Sequence, residues 1–276
     1  MKISHPDVRL RKEKFARSAA TRIWHEIPSA QNPYIAEQCR CHGYDLFELM
    51  QKRGFADIVY LLFRGELPAP DQSGILEALM VALINPGPRH PATRAAMNAG
   101  VGKTDPGHIL PISLSVLSGA HLGGAEVWQA MRFLTKHTDG DPKKIAKNLT
   151  DCGDRPNEGD WHIAPGFGSR FGSIDVMPQK IASVLKKMPG SGGALRWGNT
   201  FAQALNGQGL GWLMTGVAAA VFTDLGFHPR EGAGLFQIAS SPGLLAHGLE
   251  LADKPITAMP FIDEDHYVIE TDSKES

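Results

Sequence analysis

The sequence predicts an all-α fold, and three observations support this. Apolar residues recur every three or four positions in segment after segment, which is the periodicity of helices that bury one face. Residues 267–270 are the one stretch that could alternate as a short strand. With 276 residues, of which 42% are hydrophobic and 21% charged, the chain is long enough to bury a large helical core.

The first part of the chain combines a polar start with one strongly apolar segment. Residues 1–30 predict a polar, partly helical arm, with 16–24 as its most helical part. The segment 54–68 is apolar nearly all round, as expected of a buried helix. Gly65 lies past the end of that helix and Pro68 stops it.

Helical spacing continues through the middle of the chain. Ile75, Leu79 and Leu83 share one face, and an Asn-Pro-Gly-Pro turn follows them. Asp141 and Pro142 are typical of the N-cap and first position of a helix. The predicted helices here are 75–83, 92–101, 109–118, 125–137 and 141–149.

Residues 150–177 predict a long loop. They are rich in Gly, Asp, Pro and Asn and show no periodicity, and loops of this length in compact chains are usually functional. Beyond the loop, helices are predicted at 181–188, 197–206, 210–225 and 231–252, followed by a polar tail at 271–276. The helix 210–225 is the most apolar and is expected at the centre of the core.

Charge and cysteine content narrow the class of protein. A net charge of −1 gives no reason to expect a nucleic acid or an anionic membrane as partner. The longest apolar run, residues 210–222, is too short to cross a bilayer, and the first residues lack the apolar core of a signal peptide. Three cysteines form no disulfide framework, so a cytoplasmic protein is expected. Cys39-x-Cys41 beside His42 lacks a second pair of ligands, so no metal site is expected.

Three glycine-containing segments, residues 117–125, 166–170 and 206–211, are the candidate functional loops. The first is a small-residue turn that contains His121 and opens a helix near Glu126. Glycine lets a backbone approach a ligand closely, and a helix N-terminus attracts anionic groups. Two nucleotide motifs are excluded: Met97 stands where a phosphate-binding loop ending at Lys103-Thr104 needs glycine, and Phe171 replaces the third glycine of a dinucleotide fingerprint.

In their order and composition these loops, with the Gly-Tyr turn at 43–44 and Gly-Glu-Leu-Pro at 65–68, resemble the citrate synthase superfamily. The resemblance is in particular to its short members, the citryl-CoA lyases and the lyase module of ATP-citrate lyase. It implies a large helical domain of residues 1–120 and 212–276 with a smaller inserted helical domain, 121–211. It also implies a cleft between them, a homodimer, and coenzyme A bound as an acyl-CoA substrate.

The residues that carry the superfamily's chemistry are altered in this sequence. Its first catalytic histidine aligns with Leu122, and His121 stands one place early. Ser169 replaces its second histidine, and Gln208 replaces the aspartate base. Ser240 replaces one of its substrate-binding arginines. The resemblance therefore does not imply citrate synthesis from oxaloacetate and acetyl-CoA.

The groups that remain give the candidate site. The catalytic candidates are His121, His162, Ser169 and Gln208. The candidates for binding coenzyme A are Gly123, Gly124, Gly166, Gly168 and Arg170. The Ala-His-x-x-Glu segment around His247 is interpreted as scaffold.

Three functions stay open. The first is an enzyme with a rebuilt pocket that forms or cleaves a C–C bond in a CoA ester or a related small-molecule carboxylate. The second is a catalytically inactive homologue, a pseudoenzyme that binds a ligand or a partner. The third is hydrolysis by Ser169 and His121, which no nucleophile motif supports. Convergence of the four catalytic candidates on one cleft would favour the first, and filling of that cleft by Leu122 and apolar neighbours would oppose it.

Overall fold

The computed structural model describes residues 14–152, 156 and 159–269, and the all-α prediction is confirmed for them. The helices in the described residues are α1 Leu46–Lys52, α2 Phe55–Arg64, α3 Pro70–Leu83, α4 Pro91–Val101, α5 Pro106–Leu117, α6 Gly124–His137, α7 Pro142–Cys152, α8 Val176–Leu185, α9 Gly193–Leu205, α10 Met214–Asp224 and α11 Pro229–Ala252. Two 3₁₀ turns, Asn206–Gln208 and Ile256–Ala258, complete the helical elements. None of the described helices is long and apolar enough to span a membrane.

The chain divides into two compact units, one ending at Glu66 and the other beginning at Leu67. The first unit contains α1, α2 and a three-stranded antiparallel sheet in the order β1-β2-β3. Its strands are β1 Trp24–Pro28, β2 Ala36–Cys41 and β3 Tyr44–Asp45. The inserted domain 121–211 and its flanking large domain stay a prediction.

The predicted helix at 16–24 is wrong, and the sheet was not predicted. Residues 14–23 are non-helical, and β1 begins at Trp24 and pairs with β2 in the register Trp24 opposite Cys41. Most residues of β1 and β2 are exposed, so neither strand has the apolar alternation that reveals a half-buried strand. The described residues of the other proposed strand, 267–269, form none. Residues 1–13 and 270–276, which include parts of the predicted arm and the polar tail, lie outside the described residues.

The second unit is organised around α10, which is buried along nearly its whole length. Its residues from Thr215 to Phe222 are all buried, and it packs against α6, α9 and α11. The long helix α11 in turn packs against α4, α5 and α6. A central helix that is apolar on every face is the expected result of the sequence pattern.

The predicted helix 210–225 begins four residues later than expected, at Met214. Gly211 and Trp212 form the short strand β5, which pairs antiparallel with β4, Phe167–Gly168. The Trp212 ring also stacks on Phe167, with ring centroids 4.4 Å apart. This pairing holds the candidate loop 166–170 against the residues just before α10. The periodicity of the apolar run does not reveal the pairing.

Candidate active site

A cavity of about 320 Å³ lies within the second unit. Apolar side chains form most of its wall, including Leu83, Leu122, Met214 and Phe236. Its polar lining residues are Asn85, His90, Arg170, Asp175, Thr215 and Ser240. A mostly apolar pocket with a few convergent polar groups is the usual form of a small-molecule site.

Glu126 holds the polar groups beside this cavity together. It lies in the first turn of α6, and only 2% of its surface is exposed. Its carboxylate accepts hydrogen bonds from the backbone N–H of Leu122 (3.0 Å) and of Gly166 (3.3 Å), and from the hydroxyl of Thr215 (3.0 Å). A buried carboxylate is tolerated only with such partners, and Glu126 thereby joins three separate segments.

His162 is the fourth partner of Glu126. Its Nδ1 lies 2.6 Å from Glu126 Oε1, so the N–H is on Nδ1 and the carboxylate accepts it. This hydrogen bond raises the pKa of His162 above its ordinary value, although burial of the ring opposes the change. The other ring nitrogen, Nε2, is buried and has no hydrogen-bond partner.

His121 and Asp160 lie on the other side of the His162 ring. The His121 ring stacks on that of His162, with centroids 5.1 Å apart. His121 Nε2 is 3.6 Å from Asp160 Oδ2, while Asp160 Oδ1 accepts a hydrogen bond of 2.7 Å from the backbone N–H of Phe171. Two imidazoles and two carboxylates therefore form one cluster, of which His121 is the exposed member, with 56% of its side chain accessible.

Arg170 joins the cavity to a second, more polar pocket of about 280 Å³. Arg89, Arg170 and Asp175 line that pocket. The guanidinium of Arg170 is 3.9 Å from Asp175, too far for a hydrogen bond, and its Nε is buried without a partner. An arginine in this condition is well suited to bind an anionic group of a ligand.

His90 lines the cavity but both of its ring nitrogens are engaged. Nδ1 accepts the N–H of Ala92 as the N-cap of α4, and Nε2 lies 3.1 Å from the carbonyl oxygen of Leu122, to which it donates. Burial lowers the pKa of His90, and the positive charges of Arg170 and His121 lower it further, although the bond to Leu122 opposes this. His90 is therefore a neutral structural histidine.

Acidification is expected to destabilise the protein through His90. Because its pKa is lower in the folded than in the unfolded chain, its contribution to stability is present above the ordinary histidine pKa and is lost as pH falls through the folded value. Protonation also converts Nδ1 into a donor and breaks the cap on α4. Urea unfolding measured at about pH 7 and about pH 5 should show a larger fall in the free energy of unfolding for wild type than for His90→Asn. The asparagine keeps a capping oxygen but does not titrate. Equal losses would contradict this assignment.

Comparison with solved structures identifies the fold. The citryl-CoA lyase of Hydrogenobacter thermophilus matches with a TM-score of 0.72 and 25% identity, over 94% of this chain and 97% of its own. The chain has the citrate synthase superfamily fold. ATP citrate lyase of Methanothrix soehngenii, solved with citrate and coenzyme A, matches 98% of this chain at 16% identity (TM-score 0.68). This chain spans 48% of that enzyme.

A citrate synthase of Thermoplasma acidophilum, in a ternary complex with carboxymethyl coenzyme A and oxaloacetate, has the same fold at a TM-score of 0.58. It is 16% identical and the match covers 81% of this chain and 59% of that one. No protein-family model matches the sequence, and neither does any curated protein sequence. The resemblance first noticed in the loops is therefore confirmed at the level of the fold.

The four catalytic candidates do not all meet at this site. His121 and His162 come together in the cluster, but neither is among the residues that line the cavity. Ser169 is buried, with its hydroxyl 3.4 Å from the backbone N–H of Trp161, and among the described contacts none joins it to His121. Gln208 is exposed in a 3₁₀ turn and does not line the cavity. The position of the superfamily's base therefore supplies no group to the described cavity.

The candidate glycines each lie close to the chain's own backbone. A Cβ at Gly123 would be 2.3 Å from the oxygen of Leu117, and one at Gly168 would be 2.2 Å from that of Trp161. Gly166 has φ of +80° and would meet Gly216, while Gly124 would be 3.1 Å from the oxygen of Ala233. Internal packing thus accounts for glycine at these positions, and their contact with coenzyme A stays a prediction.

Sequence reasoning missed Glu126 and His90. Glu126 was treated only as the start of a helix, although it shares a face with Ala130 and Leu134, which are buried. A charged residue on the buried face of an amphipathic helix is a signal that could have found it. His90 carries no comparable signal, because its role depends on a contact with Leu122, 32 residues away.

Proposed function

We propose that this protein is an enzyme that forms or cleaves a C–C bond in a CoA ester or a related small carboxylate, with a rebuilt active site that does not synthesise citrate. The observation that carries the proposal is Arg170. Its unpartnered Nε lies at the junction of an apolar cavity and a two-arginine pocket. A carboxylate or a phosphate bound by Arg89 and Arg170 would leave the carbon skeleton in the apolar cavity.

The fold supports this class of substrate. ATP citrate lyase and citrate synthase with the same fold were solved with coenzyme A or its derivative and with citrate or oxaloacetate. Fold likeness at these identities does not fix a reaction, so the substrate class rests on the charge and shape of the cavity in this chain. Fewer arginines than in the superfamily pattern favour a less anionic substrate than oxaloacetate.

The polar cluster beside the cavity would supply the reactive groups. C–C bond formation next to a thioester needs a group that removes a proton and groups that stabilise an enolate oxygen. His121 and His162 are the imidazoles available. Leu122, which follows His121 in the chain, lines the cavity, and so does Arg170, whose positive charge acts on His162. The buried Glu126 fixes the position of His162, as a positioning residue should.

Calorimetric titration with coenzyme A, acetyl-CoA and small carboxylates tests the proposal. Wild-type protein should bind at least one of them with micromolar affinity. Arg170→Ala should weaken binding by about 10- to 100-fold, because a charge-assisted hydrogen bond contributes about 1.5–3 kcal/mol. Arg94→Ala, an exposed arginine of α4, serves as the matched control and should bind as wild type does. Absence of binding, or equal weakening in both variants, would contradict the proposal.

A pseudoenzyme is the second candidate, and Leu122 and Gln208 favour it. Leu122 lines the cavity where the superfamily has a catalytic histidine, and exposed Gln208 stands in place of the base. The two candidates differ in turnover: incubation with acyl-CoA and an oxo-carboxylate should give a new condensed acyl-CoA, or free thiol where the thioester is also hydrolysed, for an enzyme, and neither product for a pseudoenzyme. The homodimer and the cytoplasmic location remain predictions, of which the first is tested by sedimentation.

A further inference from the structure

We infer that His121, Asp160 and His162 form a binding site for a divalent transition-metal ion, with Zn²⁺ as the ion that suits these ligands best. A donor atom of each residue lies within 4.8 Å of a donor atom of the other two. Two imidazoles and one carboxylate are ligands that Zn²⁺ uses in sites with an open fourth position. In sequence the three residues match no metal motif, so only the fold brings them together.

The two partly buried ligands, His162 and Asp160, are each oriented by a second contact that leaves one donor atom free. Glu126 binds Nδ1 of His162, and Nε2 remains buried without a partner. The backbone N–H of Phe171 binds Oδ1 of Asp160, and Oδ2 faces His121. A carboxylate that accepts the second N–H of a metal-binding histidine is the usual outer partner at zinc sites.

One of the three separations in the cluster is already close to that around a zinc ion. Zinc–ligand bonds of about 2.0–2.1 Å at tetrahedral angles separate the ligand atoms by about 3.4 Å. His121 Nε2 and Asp160 Oδ2 are already 3.6 Å apart. The other separations, which are within 4.8 Å, would shorten on metal binding, and the exposed His121 side chain is the freest of the three to move.

Metal binding also accounts for the buried nitrogen of His162. A buried polar atom without a partner is costly, and coordination would occupy the lone pair of Nε2 while Nδ1–H stays bonded to Glu126. The bound ion would lie next to the cavity and could polarise a carbonyl group there. Only this last role rests on the proposed function, because binding of the metal needs no substrate.

Titration of chelator-treated protein with Zn²⁺ and with Co²⁺ tests the inference. Calorimetry should show one equivalent of Zn²⁺ bound, and Co²⁺ should give the absorption of a four- or five-coordinate site. His121→Gln should weaken binding by more than about 100-fold, since losing an outer partner alone costs about 10–100-fold. His121 is more than half exposed, so this variant is expected to fold.

His247→Gln is the matched control, because His247 also lies beside a carboxylate, Glu250, but belongs to no three-ligand cluster among the described residues. Its Zn²⁺ affinity should equal that of wild type. Failure to bind one equivalent, or binding that His121→Gln and Asp160→Asn leave unchanged, would overturn the inference. Binding of coenzyme A and of carboxylates is measured separately on the chelator-treated protein. This shows whether the proposed function fails independently of the metal site.

Discussion

Replacing Glu126 with alanine is expected to destabilise the fold by about 3–5 kcal/mol. The substitution leaves the buried N–H groups of Leu122 and Gly166 and the Nδ1–H of His162 without an acceptor. Each buried donor left unsatisfied costs about 1–3 kcal/mol, so the network loses more than one ordinary hydrogen bond. Urea unfolding followed by circular dichroism measures the change.

Two variants separate the network from general effects of removing a glutamate. Glu126→Gln keeps the volume but presents an NH₂ group to donors, so it should also destabilise, by roughly 2 kcal/mol. Glu231→Ala removes a partly exposed glutamate that accepts the N–H of His228 at the start of α11, and should cost about 1 kcal/mol. If Glu126→Ala lowers the free energy of unfolding no more than Glu231→Ala does, Glu126 does not stabilise the site.

The contact between α4 and α11 gives the second large expected effect. A Cβ at Gly100 would lie 2.1 Å from the carbonyl oxygen of Gly248, a distance that real Cβ atoms do not show. Gly100→Ala is therefore expected to force the two helices apart and to destabilise the protein by about 3 kcal/mol. The gain in helix propensity from alanine, about 1 kcal/mol, offsets only part of the loss. The midpoint of thermal unfolding should fall by several degrees.

Gly234→Ala is the matched control within α11. A Cβ at Gly234 meets no atom within 4 Å, so the change brings helix propensity without a clash. This variant should stabilise the protein by about 0.5–1 kcal/mol. Stability changes of opposite sign in the two variants would show that the close approach of α4 and α11, and not the loss of a glycine as such, determines the change in stability. Equal stabilisation by both would refute the expectation for Gly100.

Much of the helical framework could be predicted because its signals are local. Asp141 accepts the N–H of Lys143 and starts α7, as its type and position predicted. The apolar segment before Gly65 ends as α2 with that glycine in the left-handed region. The sheet of the first unit could not be predicted in the same way, because cross-strand pairing of exposed residues such as His25 and Arg40 leaves no periodic pattern.

The sequence offered candidates for the site by residue type, and only the fold shows which of them lie together. His121 and His162 were chosen as loop histidines, and the fold brings their rings together across 41 residues of chain. Gln208 was chosen only because it stands at the position of a superfamily residue. The structure places it at the surface, and the exposure of a loop residue cannot be read from a sequence pattern. Glu126 needed its buried neighbours on α6 to be recognised as more than a helix start.

The main-chain contacts of Leu122 determine which side chains position 122 can hold. Its φ of +56° places a leucine in the left-handed region, which histidine tolerates more readily. Its N–H and carbonyl are both fixed, by Glu126 and His90, so the main chain is held independently of the side chain. An imidazole could therefore be exchanged for an isobutyl group here without reshaping the backbone. The chemistry of the side chain at position 122 and the shape of the loop between α5 and α6 can therefore change independently.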